Sequence, residues 1–388
     1  MRSVMPVKPE HVIPWRNPTR VCSNCVMDDT DPAIVFDGLG VCNHCHEQRQ
    51  RIAAEIPPAA AREATLQRLV DRLKAEGRGK GYDCVIGLSG GVDSSMVAYL
   101  LRRHGVRPLA VHLDNGWNAE VSVRNVKNIV TKLGIDLKTH VLDWNEFKDL
   151  QVSFIRSGVV NLEVPTDHAI TALLFRSARK HGLRYVVSGS NLATEAIMPP
   201  SWGYDNKDWR HIRGIQSRFG TRLLKTFPYL TVWDWFANTF VHGIRFIPLL
   251  NLVEYDRAAA IEILKQEYDW RDYGPKHGES IFTRFFQCEI LPGKLGIDKR
   301  KGHYSSMIGS GLMTRAKALA ALEKPIYDPV LLEVDRPFFL KKLGFSDDEF
   351  RRYMEQPGVS HLAYPNNEAL FERMSGLVNL AKSRAKRL

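Results

Sequence analysis

From Tyr82 onward the chain alternates short apolar runs with amphipathic stretches. Asp83–Leu88 reads as a buried strand, and Ser94–Arg103 as a helix closed by Gly105. Val106–Leu113 is a second strand, followed by a helix over Val121–Leu133 that Gly134 stops. Asp136–Leu142 gives a third strand, and Trp144–Arg156 a helix. Thr166 is placed to N-cap a helix running to His181, with Gly182 as its stop. Arg184–Ser188 completes a fourth strand. This βαβα order argues for an α/β fold, a doubly wound and mostly parallel sheet with helices on both faces.

The flanking regions differ. Residues 1–20 read as an irregular arm. A helical stretch with Leu66, Leu69, Val70 and Leu73 on one face ends at Gly77, Gly79 and Gly81, where a boundary is expected. After Asn191 the pattern changes again. Residues 202–247 are crowded with aromatics, and the helical spacing of Trp233, Phe236 and Phe240 favours a second core over a partner-docking or sugar-stacking surface. Membrane-surface attachment is weaker, because Asp234, Asn238 and His242 interrupt the apolar face. Asp256 should cap a helix to Tyr268, Ser346 with Glu349 forms a capping box, and a basic helix spans Leu370–Leu388. The division expected is 1–80, 81–200 and 201–388.

Composition narrows the class. The chain has 388 residues, of which 44% are hydrophobic and 25% charged. That length suits two or three domains at roughly 150 residues each. The proportions exclude general disorder, a collagen-like chain and a disulfide scaffold. No apolar run reaches the ~18 residues of a membrane span. The first twenty residues lack the apolar core of a signal peptide, so a cytoplasmic protein is expected. The net charge of +11 favours polyanionic partners without choosing among them.

Four of six cysteines form two pairs, Cys22/Cys25 and Cys42/Cys45. Two Cys-x-x-Cys turns sixteen residues apart suit a four-thiolate Zn²⁺ knuckle, closed and therefore structural. A redox-active or iron–sulfur site is the alternative. His44 and His46 are adjacent spare ligands but read as ordinary loop residues. Cys84 and Cys288 read as core.

The strongest chemical signal is Ser89-Gly90-Gly91-Val92-Asp93-Ser94-Ser95, between an apolar strand and a helix. Glycines allow a tight turn, and N–H groups at the helix start face an anion. Ser89, Ser94 and Ser95 add hydroxyl donors. Asp93 would repel bare phosphate and makes sense as a Mg²⁺ ligand. No G-x-x-x-x-G-K-[ST] run occurs. The loop resembles the PP-loop of the N-type ATP pyrophosphatases, with signature S-G-G-x-D-S. The resemblance implies an adenine nucleotide alpha-hydrolase-like fold that cleaves ATP between the α and β phosphates and places AMP on a substrate oxygen. It also implies nucleotide contacts at Asp114, after the second strand, and at Gly189 and Asn191, after the fourth. Both lie where open α/β sheets bind ligands.

A basic cluster follows at Lys276, Lys294, Lys299 and Arg300, beside glycine-bearing turns. Cations there suit a leaving pyrophosphate or a sugar diphosphate; the alternative is a solvated basic face. Lys276, Lys299 and Arg300, with Asp93, are the expected catalytic residues. The closing run Lys382, Arg384, Lys386 and Arg387 reads as a solvated helix end.

The cysteine pairs, the Ser89–Ser95 loop, the run Lys276-His277-x-Glu279-Ser280-Ile281-Phe282-Thr283-Arg284 and Gly296-Ile297-Asp298-Lys299-Arg300 together resemble the N-acetyl sugar amidotransferases of the WbpG/PseA type. The resemblance runs from Cys22 to the low 320s. It implies an enzyme that uses ATP and Mg²⁺ to adenylate the acetamido oxygen of a nucleotide-activated N-acetyl sugar. Ammonia then displaces AMP, leaving an acetamidino group destined for bacterial lipopolysaccharide O-antigen or flagellar glycan. No glutaminase nucleophile is evident, so a HisH-like glutaminase with a HisF-like barrel is the implied ammonia source. No nucleic-acid partner is expected, and homodimerisation is left open. The competing readings are a PP-loop tRNA-thiolating enzyme, which needs catalytic cysteines near ATP, and a zinc-bearing interaction module, which has no use for Asp93.

Overall fold

The computed structural model describes residues 7–274, 276, 278–371 and 373. His277 and the expected helix Leu370–Leu388 beyond Arg373 therefore lie outside the described residues. Strand β1 (Val12–Ile13) comes first, followed by β2 (Cys84–Gly87), β3 (Pro108–Asp114), β4 (Asp136–Val141), β5 (Tyr185–Ser188), β6 (Arg245–Pro248) and β7 (Gly358–Val359). Strands β2 to β6 form one parallel sheet in the order β4-β3-β2-β5-β6. The chain thus starts in the middle, builds outward to one edge, then crosses back to build the other. The reversal lies between β2 and β5, so the loops after these two strands open a crevice at their carboxyl ends.

Alternation within each strand divides the core. Cys84 and Ile86 pack toward one layer with α2 (Ala59–Glu76), α3 (Val92–Arg103) and the helix Arg257–Tyr268. Val85, Val111 and Val186 pack toward the opposite layer under α6 (Val164–Lys180). Burying such a side chain stabilises by about 1.5–3 kcal/mol. Helices α1 (Asn43–Glu55), α4 (Glu120–Leu133) and α5 (Trp144–Ser157) complete the first half.

Several expectations change. Leu66, Leu69, Val70 and Leu73 pack on the sheet, so α2 belongs to the α/β layer rather than to an N-terminal unit. The sheet does not end near residue 200, since β6 pairs along the whole of β5. Helix α6 begins at Val164, two residues before Thr166; Pro165 sits in its first turn, where its missing N–H costs nothing. The arm is not wholly irregular: β1 pairs antiparallel with β7. The aromatic belt divides in two. Trp202 and Phe227 are buried, but Trp233 is 71% exposed and Phe236 and Phe240 stand in the surface. The expected core role fails for these last three. The caps at Asp256 and Ser346 form as expected. Among the described residues no helix is long and apolar enough to cross a membrane.

Candidate nucleotide site

The loop after β2 turns at Gly90, whose φ of +84° lies in the left-handed region. A Cβ there would sit 2.4 Å from the Ser122 carbonyl oxygen. The Gly90 carbonyl accepts from the Trp270 indole at 3.0 Å. Gly91 caps α3, the Gly91 N–H donates to Ser89 Oγ at 3.2 Å, and Ser89 and Ser94 hydroxyls lie 3.2 Å apart. Substituting Gly90 with alanine should cost ATP binding well over tenfold, because the clash is with backbone and φ is unfavourable. Isothermal titration with Mg·ATP checks this; unchanged affinity would contradict the geometry. Ser95 is fully buried and its hydroxyl points into the packing, so it does not line the crevice as the sequence suggested.

Charged groups converge beyond the loop. Asp93, in the first turn of α3, accepts from the Tyr255 hydroxyl. Lys276 Nζ lies 3.3 Å from Asp93, 2.8 Å from Glu195 and 2.6 Å from Thr194 Oγ1. Gly189 permits the close approach of the second loop, since a Cβ there would fall 2.9 Å from the Asp93 backbone. Tyr273 accepts from the Val92 N–H at 3.1 Å, and Ser89 Oγ donates to Glu279 at 3.3 Å. Burial raises the Glu279 carboxyl, with Asp93 and Glu163 adding to it. Burial likewise raises the Tyr255 and Tyr273 hydroxyls, helped by Asp93 and Glu279 respectively. A carboxylate pair beside a helix N-terminus suits Mg²⁺ carried by a phosphate, and Asp93 with Glu195 would hold it.

Two cavities meet at Ser89, Ser94, Gly189 and Glu279. The smaller, of about 220 Å³, holds the charged cluster. The larger, of about 440 Å³, has an apolar wall of Val111, Ile170, Leu173 and Val186. Its lining also has a polar part, with Asn118, Ser280, Thr283, Gln287 and Lys299. Thr283 Oγ1 donates to Glu163, and Gln287 donates to the other Glu163 oxygen at 3.1 Å. Thr166, displaced from its expected capping role, lines this cavity instead.

Other expected residues do not reach the crevice. Asp114 accepts from the Gly116 N–H at 2.9 Å, closing its own turn, and Asn115 lines the cavity in its place. Asn191 caps the short helix Leu192–Glu195 through Thr194 N at 2.9 Å. Arg300 pairs with Asp298 at 2.8 Å and donates to the Lys324 carbonyl at 2.9 Å, so it is a structural residue. Lys294 is buried and donates to the carbonyls of Tyr353 and Gln356. The residues missed were Glu195, Tyr255, Tyr273 and Glu279. Glu279 lies between Lys276 and Arg284, whose cations dominate the run in the sequence.

The four knuckle cysteines are buried, with ligand atoms within 4.8 Å of one another. Sulfur separations of 3.7 Å for Cys25/Cys42, 3.7 Å for Cys42/Cys45 and 4.0 Å for Cys22/Cys45 match the about 3.8 Å of a tetrahedron with 2.3 Å Zn–S bonds. Cys22 Sγ accepts N–H donors from Asn24, Cys25 and Cys42 at 3.2–3.4 Å, which favours thiolate. The residues fit zinc. His44 and His46 are held by Asp31 and Asp37 instead. Burial raises the Cys84 thiol, and it raises Cys288 to about 11; neither lines the two cavities.

Residues 279–378 match the family described as LPS biosynthesis protein WbpG-like, C-terminal domain, and residues 64–206 match NAD synthase. The NAD-synthase match spans the Ser89–Ser95 loop, and the WbpG-like match agrees with the resemblance of the Glu279–Arg284 run and extends beyond the low 320s. A tRNA-specific 2-thiouridylase, MnmA 2, of Fusobacterium nucleatum is 29% identical over 118 residues, covering 29% of this chain and 34% of its own length. The chain thus spans about a third of that curated relative. An NMN synthetase from Francisella tularensis aligns over 68% of this chain and 91% of its own, at 17% identity and a TM-score of 0.37. An NH3-dependent NAD synthetase from Campylobacter jejuni aligns over 74% and 97%, at 14% identity and a TM-score of 0.32.

Proposed function

We propose that the protein is an ATP-dependent, AMP- and pyrophosphate-forming amidotransferase that converts an acetamido group of a nucleotide-activated N-acetyl sugar to an acetamidino group. One observation carries the reading. The larger cavity has an apolar wall from the NAD-synthase-type segment, next to the phosphate loop. Ser280, Thr283, Gln287 and Lys299, from the WbpG-like segment, also line it. Such a lining suits a hydroxyl-rich substrate held beside the α-phosphate.

The proposed chemistry is compatible with this placement. The amide oxygen attacks the α-phosphorus, the α–β P–O bond breaks, and pyrophosphate leaves. Ammonia then adds to the activated carbon, the C–O bond to AMP breaks, and nitrogen replaces oxygen. Mg²⁺ held at Asp93 and Glu195 would neutralise the charge developing on the phosphates. Lys276 sits within 3.3 Å of Asp93 and adds a fixed cation for the leaving group. Lys299 contributes positive charge on the substrate side. We assign the product to a bacterial surface polysaccharide or flagellar glycan, and the ammonia to a HisH-like glutaminase with a HisF-like barrel. A cytoplasmic location accords with these substrates. A tRNA-thiolating activity is disfavoured, because Cys84 is enclosed in β2 and neither it nor Cys288 lines the cavities.

The test supplies ATP, Mg²⁺ and ammonium with a UDP-N-acetyl sugar or with tRNA. Sugar-dependent AMP release and a product lighter by about one mass unit, oxygen replaced by NH, is the expected result. RNA-dependent release without sugar dependence would overturn the reading.

A further inference from the structure

The four-cysteine knuckle lies outside both cavities, yet one helix ties it to them. That helix, Lys299–Gly309, is clamped on one side by the knuckle. The Val26 N–H donates to Ser305 Oγ at 3.2 Å, and Lys301 pairs with the buried Asp28 carboxylate. Just beyond the helix, Arg315 donates to the carbonyls of Cys25 at 2.9 Å and Cys22 at 3.0 Å. These are the two residues of the first ligand pair.

The other side of the helix is fixed to the loop after β5. His303 Nδ1–H donates to the Thr194 carbonyl at 2.9 Å, and the Ile197 N–H donates to Ser306 Oγ at 2.8 Å. Gly302 lies so close that a Cβ would fall 2.7 Å from the Ile197 carbonyl. Thr194 in turn holds Lys276, which faces Asp93 and Glu195. Lys299, at the start of the helix, reaches the larger cavity. A chain of direct contacts therefore runs from the zinc ligands to both cations of the site.

We infer that Arg315 and Lys301 are positioning residues that couple the zinc knuckle to the nucleotide site through helix Lys299–Gly309. The coupling rests on the ATP-site reading and not on the sugar chemistry. Binding linkage is reciprocal: if the metal-filled knuckle favours bound nucleotide, bound nucleotide must favour retained metal.

The experiment uses the full-length zinc-loaded protein and a zinc-binding dye, with and without saturating Mg·ATP. In the wild type, Mg·ATP should slow zinc loss several-fold. Arg315→Ala should still load one zinc per chain but lose this protection, and should bind Mg·ATP about tenfold more weakly, the effect of losing charge-assisted hydrogen bonds. Hydrogen exchange should quicken across 299–309 and not across α2. Lys301→Met serves as the second variant should Arg315→Ala fail to fold. Zinc loss that ignores Mg·ATP in the wild type, equal protection in the variants, or exchange that quickens uniformly would overturn the inference. Failure of the wild type to bind Mg·ATP at all would instead sink the ATP-site reading.

Discussion

Asp93→Asn is expected to lower substrate-dependent AMP formation by about 10²–10³-fold, with folding intact. The carboxylate stands in the first turn of α3, at a helix start suited to anions, where a negative side chain is tolerated. Against a triphosphate it repels unless a divalent cation intervenes. The asparagine keeps the shape and the hydrogen bond from Tyr255 but removes the charge that would hold Mg²⁺ and that pairs with Lys276. Lys276→Met should give a loss of similar order by a different route, raising the barrier to pyrophosphate departure. The two variants differ in metal response. Raising Mg²⁺ should partly restore Asp93→Asn and leave Lys276→Met unchanged. Pyrophosphate release measured across a Mg²⁺ series separates them. Full activity in Asp93→Asn at ordinary Mg²⁺ would remove the metal role from this residue.

The parts of this site that were legible in the sequence were those whose geometry is local. Ser89 to Ser95 follows an apolar run and opens a helix, so strand, turn and helix start are fixed by neighbouring residues. The knuckle is legible for the same reason, the first pair lying on a local bend and the second on the opening turn of α1. Longer-range placement was not. Lys299 and Arg300 are adjacent, but successive helical residues point about 100° apart, so one faces the cavity while the other meets Asp298. Phe236 and Phe240 do meet, with ring centroids 4.8 Å apart, as their spacing required. Spacing identifies a shared face and not what covers it, and here the face is exposed. Asp114 was misread because an aspartate after a strand suits a ligand contact and a self-closing turn equally well. Glu279 was overlooked because a carboxylate in an anion site looks contradictory until Asp93, Glu195 and Lys276 are seen around it.

Arg284 shows how a motif residue can serve the site without touching it. Its guanidinium is 9% exposed and makes a two-point pair with Asp335, Nε at 2.7 Å and Nη2 at 2.9 Å. Tyr327 donates to the same carboxylate at 2.6 Å. The remaining Nη1 donates to the Gly278 carbonyl at 2.9 Å, immediately before Glu279. Arg284→Ala therefore strands the Asp335 charge in the core, a loss of about 3–5 kcal/mol when one member of a buried pair is removed. For a chain of this size that corresponds to a melting point lower by roughly 5 °C. Arg284→Met with Asp335→Leu removes both charges and should recover most of that stability, since the desolvation cost disappears with the pair. It should not recover nucleotide binding, because nothing then holds the Gly278 carbonyl and Glu279 is placed less firmly against Ser89. Thermal melts with Mg·ATP titration distinguish the two effects. If the double variant regains both stability and ATP affinity, Arg284 acts through packing alone and has no part in placing Glu279.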